Sequence, residues 1–450
     1  MSLTSYRVTA LPWQSDPLRT LGAIRDLGHP VLLDSAASDS LHGRYSLLAA
    51  GPVRVISPDN PADGRNTLNQ LRAAIAELGP ATWPADIELP FGAGALGFIS
   101  YDFARLLEVL PDQAHADIRL PPLQMGIYAW SVITDNLYQQ RWLVCHPSVE
   151  ISLEQALHKR LISKHQRLGS FALTQAFIAD QSADDYLQSF KRIQDYIHAG
   201  DCYQVNLAQR FSAPCQGDPL AAYKHLRSAC PTPFAAYIES SDYALLCLSP
   251  ERFLQVSDGQ VETRPIKGTR PRGDNAETDK AFAEELLHSQ KDRAENVMIV
   301  DLLRNDLGRS CEYGSVKVPE LFALESYPNV HHLVSSVVGQ LAAGCDALDL
   351  LANAFPGGSI TGAPKIRAMQ IIEELEPVRR SLYCGSIGYI GCEGQMDLNI
   401  SIRSLVHQDD RFYCWGGGGI VADSVAASEY QESLTKVKVL MSALERSLVD

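Results

Sequence analysis

The chain has 450 residues, 46% of them hydrophobic and 20% charged, a composition typical of a soluble globular protein with a large core or two to three domains. Its 39 Lys and Arg residues against 53 Asp and Glu residues give a formal charge of −14, which argues against a general nucleic-acid binder. No Cys-x-x-Cys pair occurs among the ten cysteines, so we expect buried thiols in a reducing cytoplasm and no zinc finger. Neither a signal-peptide pattern nor an apolar run of membrane-spanning length is present.

Hydrophobic periodicity predicts three sequence regions, 1–150, a connection over 151–180, and 181–450. The predicted strands are 30–34, 43–50, 204–211, 234–238, 243–248, 260–264 and 399–404, with a hairpin formed by 125–134 and 140–145. The predicted helices are 68–78, 153–167, 183–198, 291–306 and 429–436. For the helix over 183–198, Ser182 is the expected N-cap and Gly200 the expected stop.

One stretch offers an acid and a nucleophile. Lys267 lies between the predicted strand 260–264 and a loop rich in Gly, Pro and Arg. Pro265 and Gly268 shape a corner that can aim the lysine inward. Glu251 ends an apolar run sixteen residues earlier. A carboxyl group and an amine on neighbouring strand ends suit acid and nucleophilic catalysis; the alternative is a surface lysine in a turn.

Two predicted helices present carboxylates on one face. Glu295 lies three residues after Asp292, whereas Glu429, Glu432 and Lys436 are spaced to share the face of a second helix. Two such helices can hold a hard cation such as Mg²⁺, which prefers oxygen ligands. The alternative is a solvated helix face with a Glu–Lys pair.

Three further stretches favour anion binding. A glycine-rich turn over 357–369 leads into a helix with Pro364 near its first turn, and its free N–H groups suit an anion. Arg403 lies on the predicted strand 399–404, where it is costly unless it meets a carboxylate. The glycines at 416–419 expose bare amides. One histidine of the pair at 331–332 suits proton or hydrogen-bond work, although a packed histidine fits equally well. These devices together suggest a small dicarboxylate substrate.

Several motifs resemble those of the chorismate-utilising enzyme family. They are Pro-Ile-Lys-Gly-Thr at 265–269, Ala-Glu-Asn-Val-Met-Ile-Val-Asp at 294–301, Gly-Ser-Ile-Thr-Gly-Ala-Pro-Lys at 358–365, Tyr-Cys-Gly-Ser-Ile-Gly-Tyr at 383–389, Ile-Arg at 402–403, and the stretch 416–432. Residues 94–101 and 231–235 resemble the amino-transferring branch of that family. The resemblance implies an α+β fold in which two interdigitated β-sheets form a sandwich flanked by helices. Residues 1–150 are then an anthranilate-synthase-component-I-like region and 181–450 the chorismate-binding region.

The residue at position 267 indicates the branch. Family members that form anthranilate usually have Ala there, whereas those that form 4-amino-4-deoxychorismate have Lys. The resemblance therefore implies amination of chorismate by ammonia, through a covalent Lys267 intermediate, on the path to p-aminobenzoate and folate. The alternatives are an anthranilate synthase, an isochorismate synthase, or a catalytically silent ligand-binding subunit.

The resemblance also implies roles for individual residues. The catalytic residues it implies are Lys267, Glu251, His332 and Thr361. The substrate-binding residues it implies are Tyr383, Arg403, Gly417, Gly418, Gly419 and Lys436. Mg²⁺ is the implied cofactor, with Glu295, Glu432 and the nearby Glu429 as its ligands. Some relatives bind tryptophan, and the matching positions here are Ser35, Gly43, Arg44, Tyr45, Pro233, Phe234 and Ala235.

Because no glutaminase-like Cys-His-Glu region occurs in this chain, the implied partner is a separate glutaminase subunit that supplies ammonia in a heterodimer. We expect no nucleic-acid or membrane partner.

Overall fold

The fold of this chain is described by a computed structural model for residues 5–37, 42–58, 63–163, 169–327 and 330–448. The strands are β1 Arg7–Leu11, β2 Val31–Asp34, β3 Tyr45–Ala49, β4 Arg54–Ile56, β5 Gly94–Ile99, β6 Leu123–Tyr128, β7 Trp130–Asp135, β8 Gln140–Cys145, β9 Phe171–Leu173, β10 Ile178–Ala179, β11 Gln204–Gly217, β12 Phe234–Glu239, β13 Ala244–Ser249, β14 Arg252–Ser257, β15 Gln260–Arg264, β16 Ile266–Pro271, β17 Lys317–Ser326, β18 Val330–Gln340, β19 Gly362–Ala363, β20 Ser386–Gly391, β21 Met396–Asn399, β22 Ser404–Gln408 and β23 Arg411–Ile420. The helices are α1 Pro17–Ile24, α2 Gly64–Leu78, α3 Ile151–Ile162, α4 Ala183–His198, α5 Pro219–Ala229, α6 Ala276–His288, α7 Gln290–Gly308, α8 Ala347–Ala354, α9 Lys365–Leu375 and α10 Ala426–Glu445. Short 3₁₀ helices form at Arg25–Leu27, Tyr101–Leu106 and Gly358–Ile360.

Two antiparallel sheets contain these strands. The larger sheet has 13 strands with the main order β1-β8-β7-β3-β2-β12-β13-β22-β23-β11-β10, and β9 and β19 pair with β11. The second sheet has ten strands with the main order β16-β18-β15-β14-β21-β20-β5-β6-β4, and β17 pairs with β18. Each sheet contains strands from both halves of the sequence, which meet where β2 pairs with β12 in one sheet and β5 with β20 in the other. The predicted interdigitation is therefore confirmed, and the boundaries near 150 and 180 stay predictions about the sequence.

Strand alternation explains how the sheets pack as a sandwich. On β12, Ala236 and Ile238 face a core shared with the second sheet, whereas Tyr237 between them faces the opposite side. That opposite side of the larger sheet is covered by helices. The apolar residues of this cover are Leu18 and Leu21 of α1, Leu157 of α3, Leu220 and Leu226 of α5, and Leu440 of α10.

Helices α7 and α10 each place a predicted metal ligand in the row of residues that faces the protein interior. On α7, Ile299, Leu303 and Leu307 recur every four residues and are buried, and Glu295 begins the same row. On α10, Glu429 begins the buried row that continues through Ser433 to Val437. A carboxylate on each helix is thereby carried toward the interior.

The structure corrects three predictions of secondary structure. The stretch 399–404 is not one strand, because β21 ends at Asn399 and β22 begins at Ser404, with Arg403 between them at φ +52°. The residues after Lys267 continue as strand β16 where a loop was predicted. The stretch 125–134 is split between β6 and β7, which lie in different sheets, so only β7 and β8 form the hairpin.

Other predicted elements are confirmed. Ser182 caps α4 through a capping box with Asp185. The connection contains α3, which ends at Ile162; the remainder of the predicted helix, through Arg167, lies partly outside the described residues. Within the described ranges, no helix combines the length and apolarity that a bilayer crossing requires.

Candidate active site

A bulge in strand β16 orients Lys267. The pairing of β16 with β18 shifts register between Ile266 and Thr269, and an extra residue at such a point turns a side chain out of the regular alternation. Gly268 supplies the backbone conformation that this requires, with φ +82°. The Nζ atom of Lys267 donates a hydrogen bond to the carbonyl oxygen of Ser359 at 3.0 Å.

Glu251 lies in the short connection between β13 and β14 and is only 5% exposed. Its backbone is fixed by a hydrogen bond from Ile400 N to its carbonyl oxygen at 3.0 Å. Its Oε1 atom accepts a hydrogen bond from Ser359 Oγ at 2.8 Å. The predicted acid and the predicted nucleophile therefore both contact Ser359.

Burial shifts the protonation of both groups in the direction that this chemistry needs. Burial raises the pKa of Glu251, although the hydrogen bond from Ser359 and the charge of Lys267 oppose the rise. Burial lowers the pKa of Lys267, although Glu295 and Glu251 oppose the fall. Both shifts favour a protonated acid beside a neutral amine over an ion pair of the same two groups.

His332 and Thr361 support this centre from neighbouring backbone. The Nδ1 atom of His332, on β18, lies 2.9 Å from Oγ1 of Thr269. Burial, together with the charge of Arg403, lowers the pKa of His332 to about 3, so the imidazole is neutral near pH 7. Thr361 is fully buried, and its Oγ1 donates to the carbonyl of Gly357 at 3.0 Å. Both side chains therefore act through hydrogen bonds in this structure.

The three predicted metal ligands come from α7 and α10. A Cβ atom at Gly418 of β23 would lie 3.3 Å from Oε2 of Glu429 and 3.3 Å from Oε1 of Glu432, so these two carboxylates converge on the glycine strand. Glu295 is electrostatically coupled to Lys267, and burial raises its pKa. The ammonium of Lys291 lies 3.4 Å from Oε1 of Glu429 and 3.9 Å from Oε1 of Glu295.

The donor atoms of these three carboxylates suit Mg²⁺, but the side chains do not yet converge into a coordination sphere. Within the described ranges, no three His, Cys, Asp or Glu side chains already form a group that could hold a metal ion. Carboxylate oxygens are nevertheless the donors Mg²⁺ prefers, and one or two suffice when substrate and water complete the octahedron. The residues therefore fit the ion. The ammonium of Lys291 supplies the positive charge beside Glu295 and Glu429.

Arg403 and Tyr383 are the predicted anchors for a substrate carboxylate. Arg403 forms no ion pair with a carboxylate among the described residues, and its Nη1 lies 4.0 Å from Cys230 Sγ. The guanidinium therefore lacks the internal carboxylate partner that the sequence suggested and can receive an anion. The Tyr383 ring stacks on Trp415 with centroids 6.2 Å apart, and burial raises its pKa far above the usual range, so its hydroxyl stays a hydrogen-bond donor.

The predicted bare amides at 416–419 lie within strand β23. Gly417, Gly418 and Gly419 pair with β11, so the N–H groups that point toward β11 are used in the ladder. Lys436 donates from Nζ to the carbonyl of Gly417 at 2.9 Å and lies 2.7 Å from Oε1 of Glu432. A Cβ at Gly417 would come within 2.7 Å of a β11 carbonyl, so the glycines permit close strand packing.

Three residues at this centre were missed in the sequence. Ser359 contacts both Lys267 and Glu251, yet lies about a hundred residues away in sequence. The side-chain amide of Gln204 on β11 is buried beside the glycine strand with no hydrogen-bond partner among the described residues. Lys291 had a readable signal, since it precedes Glu295 by four residues on a predicted helix, and Ser359 lies within the motif 358–365.

A cavity of about 340 Å³ lies between the two sheets, and Lys267 does not line it. Six of the seven positions matched to tryptophan-binding relatives line it: Ser35, Arg44, Tyr45, Pro233, Phe234 and Ala235. Gly43, the seventh position, is buried but does not line the cavity. The hydroxyl of Ser35 donates to the carbonyl of Tyr45. This volume lies in the range of small-molecule sites.

Comparison with known proteins identifies the family. The sequence model described as chorismate binding enzyme matches residues 29–442. Aminodeoxychorismate synthase component 1 of Salmonella typhimurium is 42% identical, covering 99% of this chain and all of that protein. Anthranilate synthase component 1 of Thermus thermophilus is 42% identical over a shorter match, 79% of this chain and 78% of that protein.

A solved structure agrees with the fold. Anthranilate synthase component I from Streptococcus pneumoniae superposes with a TM-score of 0.78 at 34% identity, covering 89% of this chain and 93% of that one. Full-length similarity, a matching family model and a shared two-sheet architecture agree with one another. The chain belongs to the family of chorismate-binding enzymes.

Proposed function

We propose that this chain aminates chorismate with ammonia to 4-amino-4-deoxychorismate, on the path to p-aminobenzoate. The observation that carries the proposal is the pair formed by the half-buried Lys267 and the buried Glu251, which hydrogen bond to the carbonyl and to the hydroxyl of the same serine, Ser359. A relative that covers 99% of this chain, aminodeoxychorismate synthase component 1 of Salmonella typhimurium, is named for the same product.

Lys267 and Glu251 together supply the nucleophile and the acid that replacement of the C4 hydroxyl requires. The neutral Lys267 amine attacks C2 of the ring, the double bonds shift, and the C4 hydroxyl departs as water with the proton of Glu251. The products of this step are a secondary ammonium on Lys267 and a Glu251 carboxylate. Ammonia then adds at C4, the double bonds shift back, and Lys267 is expelled from C2 as the neutral amine. The new ammonium at C4 returns one proton to the Glu251 carboxylate, which restores the acid. The pKa shifts of both residues favour the starting protonation state.

The remaining charged groups suit the two carboxylates of chorismate. Glu295 and Glu432, with Glu429 beside them, would hold Mg²⁺, which when bound would neutralise the ring carboxylate. Arg403, which has no ion-pair partner among the described residues, and Tyr383 would bind the enolpyruvyl carboxylate. These anchors orient the ring between Lys267 and the ammonia that enters.

The names of the relatives include "component 1", which implies a partner subunit. We propose that the partner is a glutaminase that delivers ammonia, and that the two form a heterodimer. The cavity between the sheets is proposed to bind tryptophan. All ten cysteines are free and eight are buried, which favours a reducing cytoplasm.

The test is to incubate the purified chain with chorismate, Mg²⁺ and ammonium at mildly alkaline pH and to identify products by liquid chromatography with mass detection. We expect aminodeoxychorismate with no pyruvate released. Anthranilate with pyruvate, or isochorismate, would contradict the proposal and assign another branch. If the chain alone is silent, repeating the assay with the glutaminase subunit and glutamine decides between a partner requirement and an inactive subunit.

A further inference from the structure

Ser359 makes a different contact with each reacting group. Its backbone carbonyl accepts the hydrogen bond from Lys267 Nζ at 3.0 Å, and its side-chain hydroxyl donates to Oε1 of Glu251 at 2.8 Å. Because Oε1 is occupied as an acceptor, the proton of a neutral Glu251 belongs on Oε2. One residue thus fixes both the direction of the amine and the oxygen that carries the acid proton.

The turn that carries Ser359 is held rigidly from outside the reacting groups. The carbonyl of Ile360 accepts from Asn206 Nδ2 and from Arg380 Nη1, each at 3.0 Å. Asn206 N also donates to the carbonyl of Thr361 at 2.8 Å. Arg380 is itself only 1% exposed and forms an ion pair with Glu376, four residues earlier, so this anchor is fixed.

The backbone that leads into Ser359 is closely packed. A Cβ atom at Gly358 would come within 2.6 Å of Cδ2 of Leu302 on α7, and one at Gly357 within 2.6 Å of Cδ1 of Ile400. Both glycines precede Ser359, so the backbone that leads into it lies directly against side chains of α7 and of the segment that follows β21. Ser359 is presented from a preorganised support, which is what a group that positions reacting atoms requires.

The Ser359 hydroxyl has a second role, at the moment when the C4 hydroxyl of chorismate leaves. Glu251 then becomes a carboxylate in a buried setting, where an anion without donors is unfavourable. The Ser359 hydroxyl already points at Oε1, so it stabilises the charge as it develops and needs no reorganisation.

We propose that Ser359 is a positioning residue for the amination, its hydroxyl directing the proton of Glu251 to Oε2 and stabilising the carboxylate formed, while its carbonyl aims the Lys267 amine. The inference rests on the proposed function.

The test compares Ser359→Ala and Ser359→Cys with the wild type, alone and combined with Glu251→Gln. Both single changes keep the Ser359 carbonyl, and Cys keeps the size of the side chain while offering only a weak donor. We expect kcat to fall about 10- to 100-fold for either variant, the effect of one hydrogen bond to a charged group. KM stays near the wild-type value. Loss of the donor raises the pKa of Glu251, and because Glu251 must be protonated to act as the acid, the alkaline limb of the kcat/KM profile moves to higher pH.

The double variants separate positioning from simple support of the fold. If the serine acts through Glu251, Ser359→Ala in the Glu251→Gln background costs no further activity. Equal losses in both backgrounds, or an unmoved pH profile, would overturn the inference. Should the Ala variant not fold, as judged by thermal unfolding, the Cys variant decides. A wild-type enzyme that makes another product would instead overturn the proposed function.

Discussion

At one end of the site, Lys267 and Glu251 hydrogen bond to the same buried serine, whereas at the other end the carboxylates of Glu295 and Glu429 share the ammonium of Lys291. The first end is arranged for reaction before any ligand arrives. The second end keeps its negative charges neutralised by a lysine that is itself half exposed. The enzyme thus preorganises the groups that make and break bonds, and leaves the groups that bind charge free to exchange partners.

The largest expected effect breaks the preorganised end. Lys267→Ala removes the nucleophile and should lower kcat for aminodeoxychorismate formation by more than about 10³-fold. Steady-state assays with product identification measure it. Lys280→Ala is the matched control, because that lysine is exposed on α6 and its ion pair with Glu284 is a surface one. Retention of wild-type amination in Lys267→Ala would contradict the nucleophile assignment.

Glu251→Gln keeps the shape of the acid but removes its proton. We expect kcat to fall by about 10²- to 10⁴-fold, the usual contribution of general acid catalysis. Burial of the neutral amide costs little, so thermal unfolding should stay close to that of the wild type. An activity within a few fold of the wild type would show that another group protonates the leaving hydroxyl.

The ligand-binding end should respond in affinity. Glu295→Gln is expected to weaken Mg²⁺ binding by about 10- to 100-fold, since one charged contact is lost. Isothermal titration with Mg²⁺ alone measures this without reference to turnover. Glu284→Gln, on the exposed face of α6, is the control and should bind Mg²⁺ like the wild type. Equal affinity of the Glu295 variant would remove this residue from the ligand set.

The smallest effect sharpens the contrast between the two ends. Lys291→Met leaves the buried Glu429 without its counter-ion and should lower the free energy of unfolding by about 1 kcal/mol in chelator. Saturating Mg²⁺ should reduce that loss, because the ion replaces the missing charge. Chemical denaturation with and without Mg²⁺ checks both values, with Lys280→Met as control. If Mg²⁺ leaves the loss of unfolding free energy unchanged, the Lys291 ammonium and the ion do not neutralise the same carboxylates.

Helices and their capping were readable from the sequence because the signals are local. The stripe of α4 and its Ser182 cap, and the row that begins at Glu295 on α7, depend only on residues within a few turns. Arg403 was placed wrongly for the complementary reason. Its stretch alternates polar and apolar residues like a strand, but the backbone turns at φ +52°, which alternation does not encode.

The arrangement of the site depended on topology, which the sequence did not reveal. Ser359 reaches Lys267 and Glu251 only because the turn before β19 lies against the connection between β13 and β14. Motif resemblance identified the acid and the lysine without showing what holds them. Lys291 likewise contacts Glu429 across two helices separated by more than a hundred residues.

The most direct test of the account is the mass of the protein after it reacts with chorismate without ammonia. The enzyme is mixed with chorismate and Mg²⁺ in the absence of ammonia, quenched, and analysed by intact mass and peptide mapping. The account predicts an adduct equal to chorismate less one water on the peptide that contains Lys267, and none in Lys267→Ala. Amination by a Lys267→Ala enzyme, or an adduct on a different residue, would contradict it.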